Sequence, residues 1–426
     1  MSNKDTGAMN EQSNPKRALV PRLRFPEFQD AGNWKTEVLR KLAKRCTEKN
    51  SEGEHKRVLT NSAEYGVIDQ RDYFDKDIAN QGNLEGYYVV EKGDYVYNPR
   101  ISTSAPVGPI SKNNVGVGVM SPLYTVFRFI SSENDFFAHY FKSPHWHQYM
   151  RQASSTGARH DRMSIMNDDF MNMPLPVPAI KEQQKIADSL SSLDELITAE
   201  NRKLDTLKAH KNGLMQQLFP SEGKVIPRLR FPEFRDAGAW AKVAAGQLFS
   251  NRTERGEQEL PIYSVTMTEG LVPRASLDRR IDDVAEARVN KTVRRGDIAY
   301  NMMRMWQGAL GVAPEDCMVS PAYIVLEPQA GVNPVFFYFL LKLPETLQVL
   351  TAHSRGLTED RLRLYYDDFA KVPLRCPSLP EQKRIADSLS SVDGLITAQS
   401  SKIDTIKTYK KGLMQQLFPV MAEVQA

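Results

Sequence analysis

His145-Trp146-His147 is the one close histidine pair in this chain. Two imidazoles at that spacing could share a metal ion, but no carboxylate or cysteine cluster accompanies them, so the segment reads as helix surface or core. Asp168-Asp169 and Asp367-Asp368 could serve metal-dependent hydrolysis. Each acidic pair is followed by a phenylalanine, Phe170 or Phe369, just ahead of a long helical pattern, which reads as a turn or helix start. Gly116-Val117-Gly118 lacks the third glycine and the acidic partner of a dinucleotide cradle. No GxxxxGK[ST] phosphate loop occurs. The expectation is a chain with no catalytic residues, no metal site and no cofactor of its own.

What the chain does carry is a duplication. Residues 182–220 and 381–419 match at about two thirds of their positions, roughly 200 residues apart, far beyond a solenoid period. PRLRFPEFQDAGNW at 21–34 returns as PRLRFPEFRDAGAW at 227–240. The molecule reads as two copies of one unit, each a variable body followed by a long helix.

The first repeated segment places apolar residues at Ile186, Leu190, Leu193, Ile197, Leu204, Leu207, Leu214 and Leu218. The second places Ile385, Leu389, Val392, Ile396, Ile403, Ile406, Leu413 and Leu417. Steps of four and three alternate for about five heptads, the seam of a coiled coil. Glu200 and Lys211 fill the gaps in the first seam, and Gln399 and Lys410 those in the second. Two readings stand for the lysines: fixing register, or snorkelling at a bundle edge. Each helix follows a proline, Pro178 or Pro380, stops at Phe-Pro, and should be roughly 55 Å long. Both seams lie in one chain and are expected to pair with each other. Antiparallel pairing would put the bodies at opposite ends of a rod with pseudo-two-fold symmetry. Lys181, Lys185, Arg202, Lys203 and Lys208 read as solvated or as a partner surface.

The bodies share landmarks. Gly93-Asp94 matches Gly296-Asp297, Ser121-Pro122 matches Ser320-Pro321, and Gly157 with Asp161-Arg162 matches Gly356 with Asp360-Arg361. Short β-rich runs lie between them, and NDFFAHYFKS and NPVFFYFLLK read as a packed helix in each. Between landmarks the sequences diverge, as 61–84 and 263–287 show. A common frame with unlike inserts suggests two modules that read different things; drifting surface loops are the alternative. Tyr97-Asn98-Pro99-Arg100 lacks the second proline and the aromatic of the adenine methyltransferase motif, so no methyltransferase is read there.

With 426 residues there is room for two or three cored domains. The net charge of +4 is too small to prove a nucleic-acid partner by itself. Cys46, Cys317 and Cys376 form no CxxC pair and fit a reducing compartment. Neither a signal peptide nor a membrane-spanning stretch is read, and a cytoplasmic protein is expected. The expected boundaries are a disordered tail at 1–20, a body at 21–180, a helix at 181–220, a linker and second body at 221–379, a helix at 380–419 and a tail at 420–426.

The duplicated order of a variable body, a proline-rich turn, E-Q-x-x-I-A-x-x-L-x-x-x-D and a long helix resembles the specificity subunits of type I restriction–modification systems. The signatures are Glu182-Gln183, Ile186-Ala187, Leu190 and Asp194, then Glu381-Gln382, Ile385-Ala386, Leu389 and Asp393. The resemblance implies an α+β fold: two similar mixed-sheet target-recognition domains separated by two long helices that pair as an antiparallel coiled coil. It implies that each body reads one half of a split, asymmetric site in double-stranded DNA, with the helices as spacer. Partners would be two modification (adenine methyltransferase) subunits and restriction/translocase subunits. S-adenosylmethionine, ATP and Mg would belong to those partners.

Arginine suits both guanine edges and phosphates. On that reading the DNA contacts expected in the first body are Arg71, Tyr73, Arg100, Arg159, His160 and Arg162. In the second they are Arg274, Arg279, Arg280, Arg304, Arg355 and Arg361. Arg162 and Arg361 each follow an aspartate and could instead form structural ion pairs. A stand-alone DNA-binding regulator and a non-DNA scaffold remain rival readings.

Overall fold

The computed structural model describes residues 19–73, 84–155, 161–277, 287–358 and 361–419. Of the expected tails at 1–20 and 420–426, residues 1–18 and 420–426 lie outside the described residues. At the N-terminal end Leu19 is already tied in, accepting a hydrogen bond from the Trp34 amide at 2.9 Å.

The chain forms two compact units, and the division passes through both long helices. One unit holds residues up to Ala199 together with Ile403 onward; the other holds Glu200–Lys402. The helices span Ile180–Leu218 and Leu379–Leu417. Pro380 therefore lies inside its helix, at the first turn, where the missing N–H costs nothing. Both helices end before the Phe-Pro pair, slightly earlier than expected, because Phe219 and Phe418 turn into the cores.

In the first unit a four-stranded antiparallel sheet runs in the order Ala43–Arg45, Thr125–Phe129, Tyr95–Tyr97, Ile110–Lys112. The second unit repeats it with Phe249–Asn251, Tyr323–Pro328, Ile298–Asn301 and Leu310–Val312. Two-stranded ladders surround each sheet, and the single bridges Val58–Val119 and Ile262–Met318 run parallel, so the pairing is mixed. The continuous apolar run of the central strand reflects burial on both faces. Tyr95 and Tyr97 enter the large aromatic core, while Val96 joins a smaller cluster with Leu59, Val90 and Met120. Ile298 and Tyr300 against Ala299 divide the same way. The expected packed helices are Asp135–Tyr140 and Pro334–Leu341. Among the described residues no single helix is long and apolar enough to cross a membrane.

The Gly-Asp landmark supports the central strand. Gly93 and Gly296 sit at φ +96° and +92°, a region that favours glycine. Asp94 accepts from Arg128 Nε at 2.6 Å and from the Glu91 amide at 2.8 Å. Asp297 accepts from Arg252 Nε at 2.6 Å and from the Arg294 amide at 2.9 Å.

Within each unit the start of one long helix runs antiparallel to the end of the other. Ile186 and Leu190 share a core with Met414, Leu417 and Phe418; Ile385 and Leu389 share the other with Leu218 and Phe219. Every residue of the expected seam is buried or half-buried, whereas the off-seam Leu196 and Leu395 are exposed. The polar seam positions are paired rather than snorkelling. Lys410, 7% exposed, bonds Asp194; Lys211 meets Asp393 at 2.6 Å. Gln399 donates to the Glu200 carboxylate at 2.6 Å.

The repeated PRLRFPEF segment closes this arrangement. Arg24 forks onto Glu182 at 2.7 and 2.8 Å and donates to the Ala31 carbonyl; the Leu23 amide donates to Gln416 O at 3.0 Å. Arg230 repeats the fork on Glu381 at 2.7 Å, and the Leu229 amide reaches Gln217 O at 2.9 Å. One segment thus ties the head of one helix to the tail of the other, in both units.

Two stability predictions follow from these contacts. Arg24 and Glu182 side chains are 8% and 1% exposed. Glu182→Gln leaves the guanidinium buried without its counter-charge and should cost about 3–5 kcal/mol in denaturant unfolding. His139 lies against the seam, its Nε2 3.0 Å from Ser191 Oγ and its Nδ1 buried without a hydrogen bond. Burial, then Lys142 and Lys410, push its pKa down to about 4. The unfolded chain therefore takes up the proton first, and stability is lost as pH falls from about 6.5 to 4, by about 3 kcal/mol. The second unit has Phe339 at the matching place after its Phe-Phe pair. His139→Phe should flatten that part of a pH–stability curve.

Candidate nucleic-acid interface

In each unit the central strand ends in a turn that lies against the loop just ahead of the short helix Asn167–Met171 or Tyr366–Phe369. In the first, Asn98 Oδ1 accepts from the Arg100 amide at 3.0 Å and holds the turn, while its Nδ2 donates to Asn61 O at 2.9 Å. The loop meets this turn through Met163 N to Pro99 O at 2.9 Å and Ile101 N to Asp161 O at 3.0 Å. Arg100 and Arg162 face each other across a β-bridge. In the second, Asn301 Oδ1 accepts from the Met303 amide at 3.0 Å, and Leu364 N donates to Met302 O at 2.9 Å.

The first unit gathers Tyr73, Arg100 and Arg162 on the wall of a cavity of about 550 Å³, with Asn98, Ser102 and Tyr124. Tyr73 packs edge-on to Tyr65, ring centroids 6.3 Å apart, and both rings stay exposed. Arg162 lies 3.7 Å from Asp161, so the ion-pair alternative describes its contact here. Arg71 is exposed, its amide bonded to Asp69 at 3.1 Å, and it does not line this cavity. Arg159 and His160 lie outside the described residues.

In the second unit Arg304 follows the turn at Met302, and Arg355 and Arg361 belong to the segment that meets that turn through Leu364. Arg304 is exposed and bonds Gln307 at 3.1 Å. Arg355 forks onto Asp368 at 2.6 and 3.0 Å and stacks over the Tyr365 ring. That pair also gives Asp368 a role that its position at a helix start did not reveal. Arg274 is half-buried, its amide donating to Ile262 O at the end of a hairpin. Arg279 and Arg280 lie outside the described residues. Arg363, exposed and bridged to Arg355, belongs to this junction but stands outside every repeated landmark, so no sequence signal marked it.

The remaining chemical candidates have structural partners. Trp146 is buried and donates to Phe141 O at 3.0 Å; His145 Nδ1 lies 3.0 Å from Ser143 Oγ. Burial lowers the His145 pKa and, with Arg151 and His145 nearby, pushes that of His147 down to about 4. Asp168-Asp169 and Asp367-Asp368 open the short helices Asn167–Met171 and Tyr366–Phe369. Gly118 begins the strand Gly118–Met120 and packs against Leu59.

Each unit thus carries exposed arginines beside the exit turn of its central strand, on a frame repeated with unlike inserts. The model of the type I restriction modification DNA specificity domain matches twice, at residues 46–209 and 241–408, and the chain belongs to that family. It is 26% identical over 288 residues to the type I restriction enzyme MjaVIII specificity subunit of Methanocaldococcus jannaschii, covering 62% of this chain and 65% of that one. A type I restriction–modification S subunit from M. genitalium has a similar fold, with a TM-score of 0.57 at 14% identity over 95% of this chain and 100% of that one. A chain from a type I system solved for its complex assembly and conformational transition gives 0.54 at 17% identity, over 91% and 98%.

Proposed function

We propose that the chain is the DNA-reading subunit of a type I restriction–modification complex. Each unit reads one half of a bipartite, asymmetric site. Phosphate contacts from exposed arginines give affinity, and base-edge contacts from the unlike inserts give sequence. The long helices set the gap between half-sites, as fixed half-site separation does in dimeric binders, and dock two adenine-methylating modification subunits. Those partners bring S-adenosylmethionine and flip the target base. Restriction/translocase subunits bring ATP and Mg. This chain contributes no catalytic group. The reading rests chiefly on one observation: the turn–loop junction that carries Arg100 and Arg162 recurs around Arg304 and Arg355, while the segments between landmarks differ.

Replacing residues 60–110 by the corresponding insert of another family member is expected to change one half of the methylated sequence and leave the other intact. Methyladenine mapping in a host carrying the locus reads this out. Both halves changing together would exclude independent reading.

A further inference from the structure

The segment that opens each unit repeats more than its buried contacts require. Residues 21–34 and 227–240 differ only at Gln29/Arg235 and Asn33/Ala239, whereas the bodies behind them share scattered landmarks. Burial accounts for part of the identity: Pro21, Pro227, Trp34 and Trp240 are buried, and Arg24 and Arg230 make the forks. The rest faces outward. Leu23 and Leu229 are 39% and 41% exposed, and three residues earlier Val20 and Ile226 are 44% and 51% exposed. Arg22, Glu27 and Asp30 are exposed, as are Arg228, Glu233 and Asp236.

These side chains stand on a fixed backbone. Leu19 O accepts from the Trp34 amide at 2.9 Å, and the Leu23 amide donates to Gln416 O at 3.0 Å. Val225 O accepts from the Trp240 amide at 3.0 Å, and the Leu229 amide donates to Gln217 O at 2.9 Å. Lys185 lies over the Phe25 ring at 5.5 Å and meets Glu27 at 3.1 Å; Arg384 lies over the Phe231 ring at 4.6 Å and meets Glu233 at 3.2 Å. Exposed ion pairs of this kind contribute little to stability, and an exposed leucine contributes little to a core. Fold stability therefore does not explain why both copies keep them. Recent duplication does not either, because it would have left the inserts alike.

A shared partner does explain it. Unlike inserts cannot offer one protein two like docking faces, and this segment can. One surface leucine is ordinary, but here two apolar side chains recur at the same places with the same charges around them. Glu27 and Asp30 balance Arg22 and Lys185, and Glu233 and Asp236 balance Arg228 and Arg384, so the surface suits a protein better than phosphate.

We infer that this segment is a docking face for the modification subunits, one copy on each unit. The partner covers Val20 and Leu23 in the first unit, and Ile226 and Leu229 in the second, with an apolar patch of its own, and pairs charges with the arginine and glutamate beside them. The inference rests on the proposed function and adds a place of contact to it.

The test mixes the full-length chain with the modification subunits and counts bound copies by native mass spectrometry, with affinities from titration. The unaltered chain should take two. Leu23→Asp and Leu229→Asp should each weaken the binding of one copy, on the order of tenfold or more, and spare the other; the double variant should weaken both. Leu23→Ala and Leu229→Ala should give the same pattern with smaller losses, and they decide the matter if a thermal melt shows an aspartate variant unfolded. Ile130→Asp, at a site 65% exposed whose counterpart is Gln329, should assemble as the unaltered chain does. Two copies bound at undiminished affinity by the double variant would overturn the inference, as would a loss confined to the restriction/translocase subunits or an equal loss in Ile130→Asp. An unaltered chain that takes no modification subunit would sink the proposed function itself.

Discussion

A 39-residue amphipathic helix cannot cover its own apolar stripe, and everything else in this chain follows from how that stripe is covered. Each unit takes the first half of one long helix and the second half of the other and packs both into the core of one α+β body. A buried Arg–Glu fork then ties the segment that precedes the body to the head of one helix, with a backbone bond to the tail of the other. Such forks are weak sources of net stability, because desolvation offsets attraction. Their effect is discrimination: a misplaced helix head would strand two buried charges.

The same logic runs along the seam. Asp194 with Lys410 and Asp393 with Lys211 are the same contact made twice, once per unit, and both aspartates close the E-Q-x-x-I-A-x-x-L-x-x-x-D pattern. That pattern therefore spells out a set of contacts: a glutamate for the fork, apolar residues for the shared core and an aspartate for the lysine of the opposite helix. Its glutamine also has work in the second unit, where Gln382 accepts from the Asn333 amide and donates to Pro377 O. With these elements held, the exit turn of the central strand meets a neighbouring loop in both units, and the inserts are left free to differ.

Much of this was legible. The heptad seam, the two packed helices and the Gly-Asp strand were all visible as period or repetition, because burial imposes period and shared contacts preserve residues between copies. The role of PRLRFPEF was not visible: repetition shows that Arg24 and Arg230 matter without showing that their partners lie about 150 residues away. The candidate site was legible in part. Arg100 and Arg162, both singled out, face each other across a β-bridge, but the Asp368 partner of Arg355 and its bridge to Arg363 depend on tertiary placement that no local pattern encodes. Whether an arginine faces solvent or a carboxylate is settled by tertiary placement, and residue type is silent on it.

In the proposed function the paired helices act as a spacer between two reading units. Inserting one heptad after Ala199 and another after Lys402 lengthens both helices at the boundary between units while preserving the seam on either side. The added rise is roughly 10 Å, about three base pairs of duplex. Methyladenine mapping of a host carrying this variant should return the two original half-sites with a gap wider by about three bases. Recovery of the original gap, with full activity, would contradict the account.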